Sequence, residues 1–257
     1  MFSLQHLIWL AICIVAIVLV LRKLLASKLP LEQVLSVSCV LAAASELVKL
    51  LTYIQMVPTA DGSAMHMFIE WRHMPLHLCS VQIFLIFYAR FAESAKRRET
   101  ILAFMYPTCV FGAFLALALP SIFTNGIEPS QAFTHPIAYQ FFIYHSMLIV
   151  LGVYIARCGE VNISFSKHLR SSLAIMLAFG MMSVYANSAL AYATYTGTEL
   201  LSVENTPNFF FTYRTPIGLL LTEIWQWYVY IVIICVLAVL VFTLFYLPFR
   251  DKKPARG

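Results

Sequence analysis

The chain has 257 residues, 61% of them hydrophobic and only 11% charged, and its mean hydropathy is +0.82. So few charges cannot wet the surface of a soluble domain of this size, which excludes soluble enzymes and nucleic-acid-binding proteins. The net charge of +5 is therefore topology information, and the six cysteines, scattered singly without CxxC or zinc spacing, promise neither a disulfide framework nor a metal site. No cofactor is expected.

Apolar windows recur at 5–25, 31–57, 75–91, 100–119, 137–157, 170–196 and 222–248. Each approaches the roughly 20 residues a helix needs to cross ~30 Å of hydrocarbon. The expectation is an all-α, polytopic bundle of seven transmembrane helices, with residues 1–257 forming one integral membrane domain. The first window lacks a basic leading flank and a small-x-small cleavage site, so it reads as a retained helix rather than a signal peptide.

Basic residues fix the expected direction. Arg22, Lys23 and Lys28, then Arg90, Lys96, Arg97 and Arg98, then Arg157, Lys167 and Arg170 occupy the first, third and fifth loops, and Arg250, Lys252, Lys253 and Arg256 the tail. The opposite side has Arg72 and Arg214 alone, a split of 14 to 2. The positive-inside rule puts the N-terminus outside and the C-terminus in the cytoplasm.

With that orientation the costly polar groups gather in the exoplasmic half. Glu46 and Lys49 lie ~22 and ~27 Å along the second span, and His77 and Cys79 in the first two turns of the third. His145 lies ~13 Å into the fifth span, Tyr185 and Asn187 in the outer part of the sixth, and Glu223, Trp225 and Trp227 open the seventh. Ionisable groups at such depth are functional candidates unless a structural partner explains them.

Several have such an explanation. Glu46 and Lys49 share a helix face and read as an ion pair. Trp225 and Trp227 suit an interfacial belt, Asn187 with Ser183 an interhelical hydrogen bond, and His135 a wetted loop. Cys13, Cys39, Cys109 and Cys235 read as core. His145 is harder to dismiss, because a buried imidazole needs a partner. His77 and Cys79 are about 200° apart round a helix, whereas Cys79 shares a face with Gln82. An imidazole base for the Cys79 thiol must come from another helix, and His145 is the intramembrane candidate. A thiol, an imidazole and a polar orienter make the minimum set for covalent acyl transfer.

Three segments carry a family likeness. "MPLHLCS" resembles the "LPLHLCS" signature of YwaF-type bacterial integral membrane proteins, and "QFFIYHSMLIVLGVYI" is similar to their "FFxxHxxxxxxxxY" helix. "NFFFTYRTP" followed by "WQWY" resembles their "NYMFLxxKP…WPWY" segment, with Thr215 replacing the lysine, Gln226 the proline, and Glu223-Ile224 the usual Gly-Pro. The family is related to eukaryotic transmembrane protein 164, an acyltransferase that moves fatty acyl chains between lipids using a cysteine and a histidine. The resemblance implies Cys79 as nucleophile and His145 as base.

The expected activity is therefore transfer or hydrolysis of a phospholipid acyl ester, with a phospholipid or lyso-lipid as the partner. His77, Asn187, Gln82 and Tyr185 would support the pair, and Arg72, Arg214 and Asn208 would hold the headgroup. Two other classes compete. A haem protein would use His77 and His145 as axial ligands. A transporter would use Glu46, Lys49 and Glu223 as a relay, but the cytoplasmic half offers almost no polar residues for alternating access.

Overall fold

The computed structural model describes residues 3–59, 61–70, 73–120, 122–125, 127–194, 207–213, 215 and 221–250. Two compact units divide the chain: Met1–His73 with Cys79–Asn162, and Met74–Leu78 with Ile163–Gly257.

The first unit begins with α1 (Leu4–Ser27), capped by Ser3, whose hydroxyl accepts from His6 N at 3.2 Å, and ended by Lys28 in a left-handed conformation. Its inward stripe is His6, Trp9 and Cys13, spaced for one helix face, while the remaining apolar side chains are largely exposed, as lipid-facing positions are. Trp9 stacks on Phe142 with ring centroids 4.7 Å apart and donates from Nε1 to Ala132 O at 2.9 Å. An indole N–H buried in an apolar wall needs such an acceptor.

Helix α2 (Leu31–Tyr53) starts where the Glu160 carboxylate accepts from the N–H of Leu31 at 2.7 Å. This satisfies an amide that the helix itself leaves without a partner. Two antiparallel strands follow, β1 (Gln55–Pro58) and β2 (Met65–Phe68). The apolar window 31–57 therefore ends early as a helix, and its last residues pair as a strand across the turn "TADGSA". The sequence alone puts 55–57 in the second span and the residues from Pro58 onward in a loop; four-residue strands are too short to show alternation above the apolar background.

Next come α3 (Leu78–Phe91) and α4 (Ala95–Ala118), a four-residue α5 (Ile122–Asn125) and α6 (Pro136–Arg157). The expected span 75–91 begins only at Leu78. With 14 residues, α3 is ~21 Å long, short of a full hydrocarbon crossing. Helices α4 and α6 approach closely at Gly152, where an added Cβ would lie 2.7 Å from Val110 Cγ2 and 3.0 Å from Tyr106 O. Small residues at such contacts let two helix backbones pack directly in lipid.

The second unit is built on α7 (Phe165–Thr194) and α8 (Ile224–Tyr246), bridged by a 2.7 Å hydrogen bond between Ser172 Oγ and Tyr246 Oη. Helix α7 begins five residues before the expected window. Among the described residues six helices, α1, α2, α4, α6, α7 and α8, are long and apolar enough to cross a membrane. The chain is an all-α, multi-pass membrane protein apart from the β1–β2 hairpin.

Candidate functional site

Cys79 is the second residue of α3, where the opening N–H groups of the helix have no intrahelical acceptor. One turn on, Gln82 is fully buried and divides its amide between two residues of α4. Its Nε2 donates to Thr108 Oγ1 at 3.0 Å, and its Oε1 accepts from Cys109 Sγ at 3.2 Å. Thr108 passes its own proton to Phe104 O at 2.8 Å, beside the in-helix Pro107. This chain of hydrogen bonds pins α3 to α4 by groups that would be costly to bury unpaired.

Helix α6 provides the facing wall. Gln140 Nε2 donates to Ser45 Oγ on α2 at 2.6 Å. Tyr144 Oη donates to the carbonyl oxygen of Cys79 at 2.8 Å, so the phenol of α6 holds the first turn of α3 at the Cys79 backbone. Glu46, Cys79 and Cys109 all lie within electrostatic reach of the Tyr144 hydroxyl. Glu46 pairs with Lys49 at 2.7 Å, as their spacing on α2 indicates.

His145 follows Tyr144 but points about 100° away round the helix. Its Nδ1 is 2.7 Å from Phe141 O, and its ring lies 4.3 Å from the Phe141 ring, centroid to centroid. A carbonyl only accepts, so Nδ1 carries the proton and Nε2 presents a lone pair. No described residue hydrogen-bonds to that Nε2, and the imidazole is 8% exposed. Cys79 Sγ makes no hydrogen bond to another described residue, His145 included. The geometry thus supplies an oriented neutral imidazole and a thiol on neighbouring helices, without a formed pair.

The model of the TMEM164 family matches residues 1–246, a stretch that includes every element described above. The chain belongs to the TMEM164 family. Searches of curated proteins and of solved structures gave no match.

The remaining site candidates of this TMEM164-family chain fall in the second unit or outside the described residues. His77 meets the Phe209 ring edge-on at 4.9 Å. Asn187 is fully buried and occupied: Oδ1 accepts from Phe209 N at 2.9 Å, while Nδ2 donates to Phe209 O at 3.1 Å and Thr212 Oγ1 at 3.0 Å. It clamps the segment 207–213 to α7, and among the described residues it bonds to no other membrane-length helix. Ser183 joins the same clamp through Thr212 Oγ1 at 3.0 Å. Within the clamped segment, Phe210 and Phe211 have φ of 56° and 55°, a left-handed conformation that is strained for aromatic residues and is held by surrounding bonds. Those bonds are Trp227 Nε1 to Thr212 O at 2.9 Å and Tyr230 Oη to Phe211 O at 2.7 Å. Asn208 accepts from Tyr213 N at 3.1 Å and closes the turn. Tyr185 is 73% exposed on the outside of α7, away from these contacts. Arg72 and Arg214 lie outside the described residues.

Sequence reasoning missed Tyr144 and set Cys109 aside as core. The first had one signal, a phenol within an apolar run that must find a partner. The second had none, because a buried thiol looks alike in sequence whether it is packed or hydrogen-bonded.

Proposed function

We propose that the protein is a membrane acyltransferase or acyl hydrolase acting on phospholipids, with Cys79 as the nucleophile and His145 as the base. The observation that carries this reading is the state of His145. Its Nδ1–H is committed to Phe141 O, leaving the Nε2 lone pair uncommitted one residue from the tyrosine that grips Cys79. Family membership adds support through the acyl-transfer chemistry of the related transmembrane protein 164.

In the proposed reaction the Cys79 proton passes to His145 Nε2 and the thiolate attacks the acyl carbonyl. The ester C–O bond breaks, the departing lipid oxygen takes the proton from the imidazolium, and a thioester remains on Cys79. A lyso-lipid hydroxyl or water, deprotonated by the same imidazole, then attacks the thioester and releases the thiol. Backbone N–H groups in the opening turn of α3 are suited to stabilise the oxyanion. Hydrogen bonds of this kind commonly tighten only when substrate is bound, which accommodates the unformed thiol–imidazole contact.

The reading also takes the N-terminus as outside, α3 as a seventh, shorter membrane segment, and the plasma membrane as the location. The loop charge split supports this orientation. The decisive experiment incubates purified protein with a phospholipid carrying a radiolabelled acyl chain. Label should appear on the protein, be released by neutral hydroxylamine, and be absent from Cys79→Ser. Equal labelling of Cys79→Ser would end the proposal.

A further inference from the structure

Neither composition nor motif spacing assigns a role to hairpin β1–β2. Its register pairs Gln55 with Phe68, Met56 with Met67, Val57 with His66 and Pro58 with Met65. Side chains alternate along a strand, so the i, i+2 positions share a face. Met56, Met65, Met67 and Pro58 therefore leave one face, and Gln55, Val57, His66 and Phe68 the other. The three methionines are 58%, 55% and 71% exposed. Directly opposite residues have Cβ atoms ~5 Å apart and diagonal ones ~7–8 Å apart, within reach of unbranched methionine side chains. The three sulfurs can thus meet above a single point of the face.

The turn fixes this register. Asp61 Oδ1 accepts from Thr59 Oγ1 at 2.6 Å, Ser63 Oγ at 2.8 Å and Ser63 N at 3.1 Å. Gly62, at φ +70°, takes the left-handed position that a side chain would resist. These hydrogen bonds hold the Asp61 carboxyl down to about 2, from an ordinary 3.8. A group so depressed contributes its share of turn stability in full above pH ~4 and loses it only as pH falls through about 2. The carboxylate's hydrogen bonds within the turn are therefore retained in mildly acidic solution.

No three His, Cys, Asp or Glu residues are arranged to hold a metal among the described residues, but thioethers form a different donor set. They are soft, neutral and unprotonated at any ordinary pH. Three of them offer no charge to a hard or divalent cation and favour a soft monovalent one. We propose that Met56, Met65 and Met67 form a binding site for monovalent copper, which silver(I) also fills. The proposal is independent of the acyl-transfer reading.

The test labels methionine methyl groups with carbon-13 in the full-length, detergent-purified protein and titrates silver(I) at pH 5.5, following the resonances by NMR. Single Met→Leu variants, which preserve the apolar face, assign the peaks. Cysteine binding elsewhere leaves methionine methyls in place, so the readout is direct. The Met56, Met65 and Met67 methyls should move together and saturate over one equivalent beyond what the free cysteines take, zinc(II) should leave them unmoved, and each single Leu variant should weaken binding on the order of tenfold or more. Copper(I), kept reduced anaerobically and offered from a bicinchoninate complex, should bind with one equivalent less in the triple Leu variant than in wild type. Unmoved methyls, or movement shared with methionines outside the hairpin, would overturn the proposal. So would broadening of the three methyls by a spin-labelled lipid without any response to silver, which would make the face a membrane contact.

Discussion

Both units bury an amide side chain among apolar helices, and they use it to different ends. In the second unit Asn187 commits its oxygen and its amide nitrogen to Phe209 and Thr212, and the aromatic donors of α8 fasten the same segment. In the first unit Gln82 is as fully engaged with Thr108 and Cys109, yet one turn back along α3 Cys79 Sγ makes no hydrogen bond to another described residue, and on α6 neither does His145 Nε2. A polar network satisfied to its last atom fixes a fold. One that ends a turn from an unengaged thiol leaves that thiol available, and this difference is what motivates the proposal of a site in the first unit.

The largest expected effect comes from removing the reactive groups. Cys79→Ser and His145→Ala should each cut acyl transfer by roughly 10²–10⁴-fold, and the double variant should be little worse than either, because a nucleophile and its base fail as a unit. Thermal unfolding in detergent should move little for Cys79→Ser. The exposed Cys235 of α8 gives the control: Cys235→Ser should keep full turnover. Multiplying losses in the double variant would show that the two residues act separately.

Asn187→Leu should reverse this pattern. It removes the Asn187 oxygen that accepts from the buried Phe209 N–H and one donor to Phe209 O, which Thr212 also serves, and with them the support of two strained phenylalanines, at a cost of about 2–3 kcal/mol in stability. The midpoint of unfolding in detergent should drop clearly, and activity should fall only in proportion to folded protein. A catalytic defect in fully folded Asn187→Leu would place this residue in the chemistry and erase the contrast between the units.

Gly152→Ala tests the helix packing behind the site. Its methyl would meet Val110 Cγ2 at 2.7 Å and the Tyr106 carbonyl at 3.0 Å, so α4 and α6 must separate, at about 1–3 kcal/mol. Because α4 also carries Thr108 and Cys109, turnover should decline along with stability. An unchanged melting temperature would mean that the two helices pack less tightly than the geometry indicates.

Smallest in stability is Tyr144→Phe, which deletes one hydrogen bond worth about 1 kcal/mol. Its signature under the proposed reaction should be kinetic: kcat falls while KM is largely kept, because the phenol holds the Cys79 backbone. A raised KM with unaltered kcat would assign Tyr144 to substrate binding. Cys109→Ser preserves a donor to Gln82 Oε1 and should be milder than Cys109→Ala, a distinction that a purely packed thiol would not make.

Much of this protein was legible before any coordinates. Hydropathy marked the long helices because lipid demands about 20 apolar residues whatever their order, and the i, i+3 spacing of Glu46 and Lys49 announced their ion pair. "PLHLCS" and the histidine of α6 pointed to the TMEM164 family, which the match over residues 1–246 establishes. Such features are local or compositional, so one chain suffices to show them. The tertiary structure decided the rest. It ended α2 at Tyr53 and paired the residues beyond it in a hairpin, since strand pairing depends on a partner segment. It turned Asn187 toward segment 207–213, drew Cys109 to Gln82, and put the Tyr144 phenol, rather than the His145 ring, on Cys79. Neighbouring residues on a helix diverge by about 100°, and only the position of the facing helix selects which of them makes the contact.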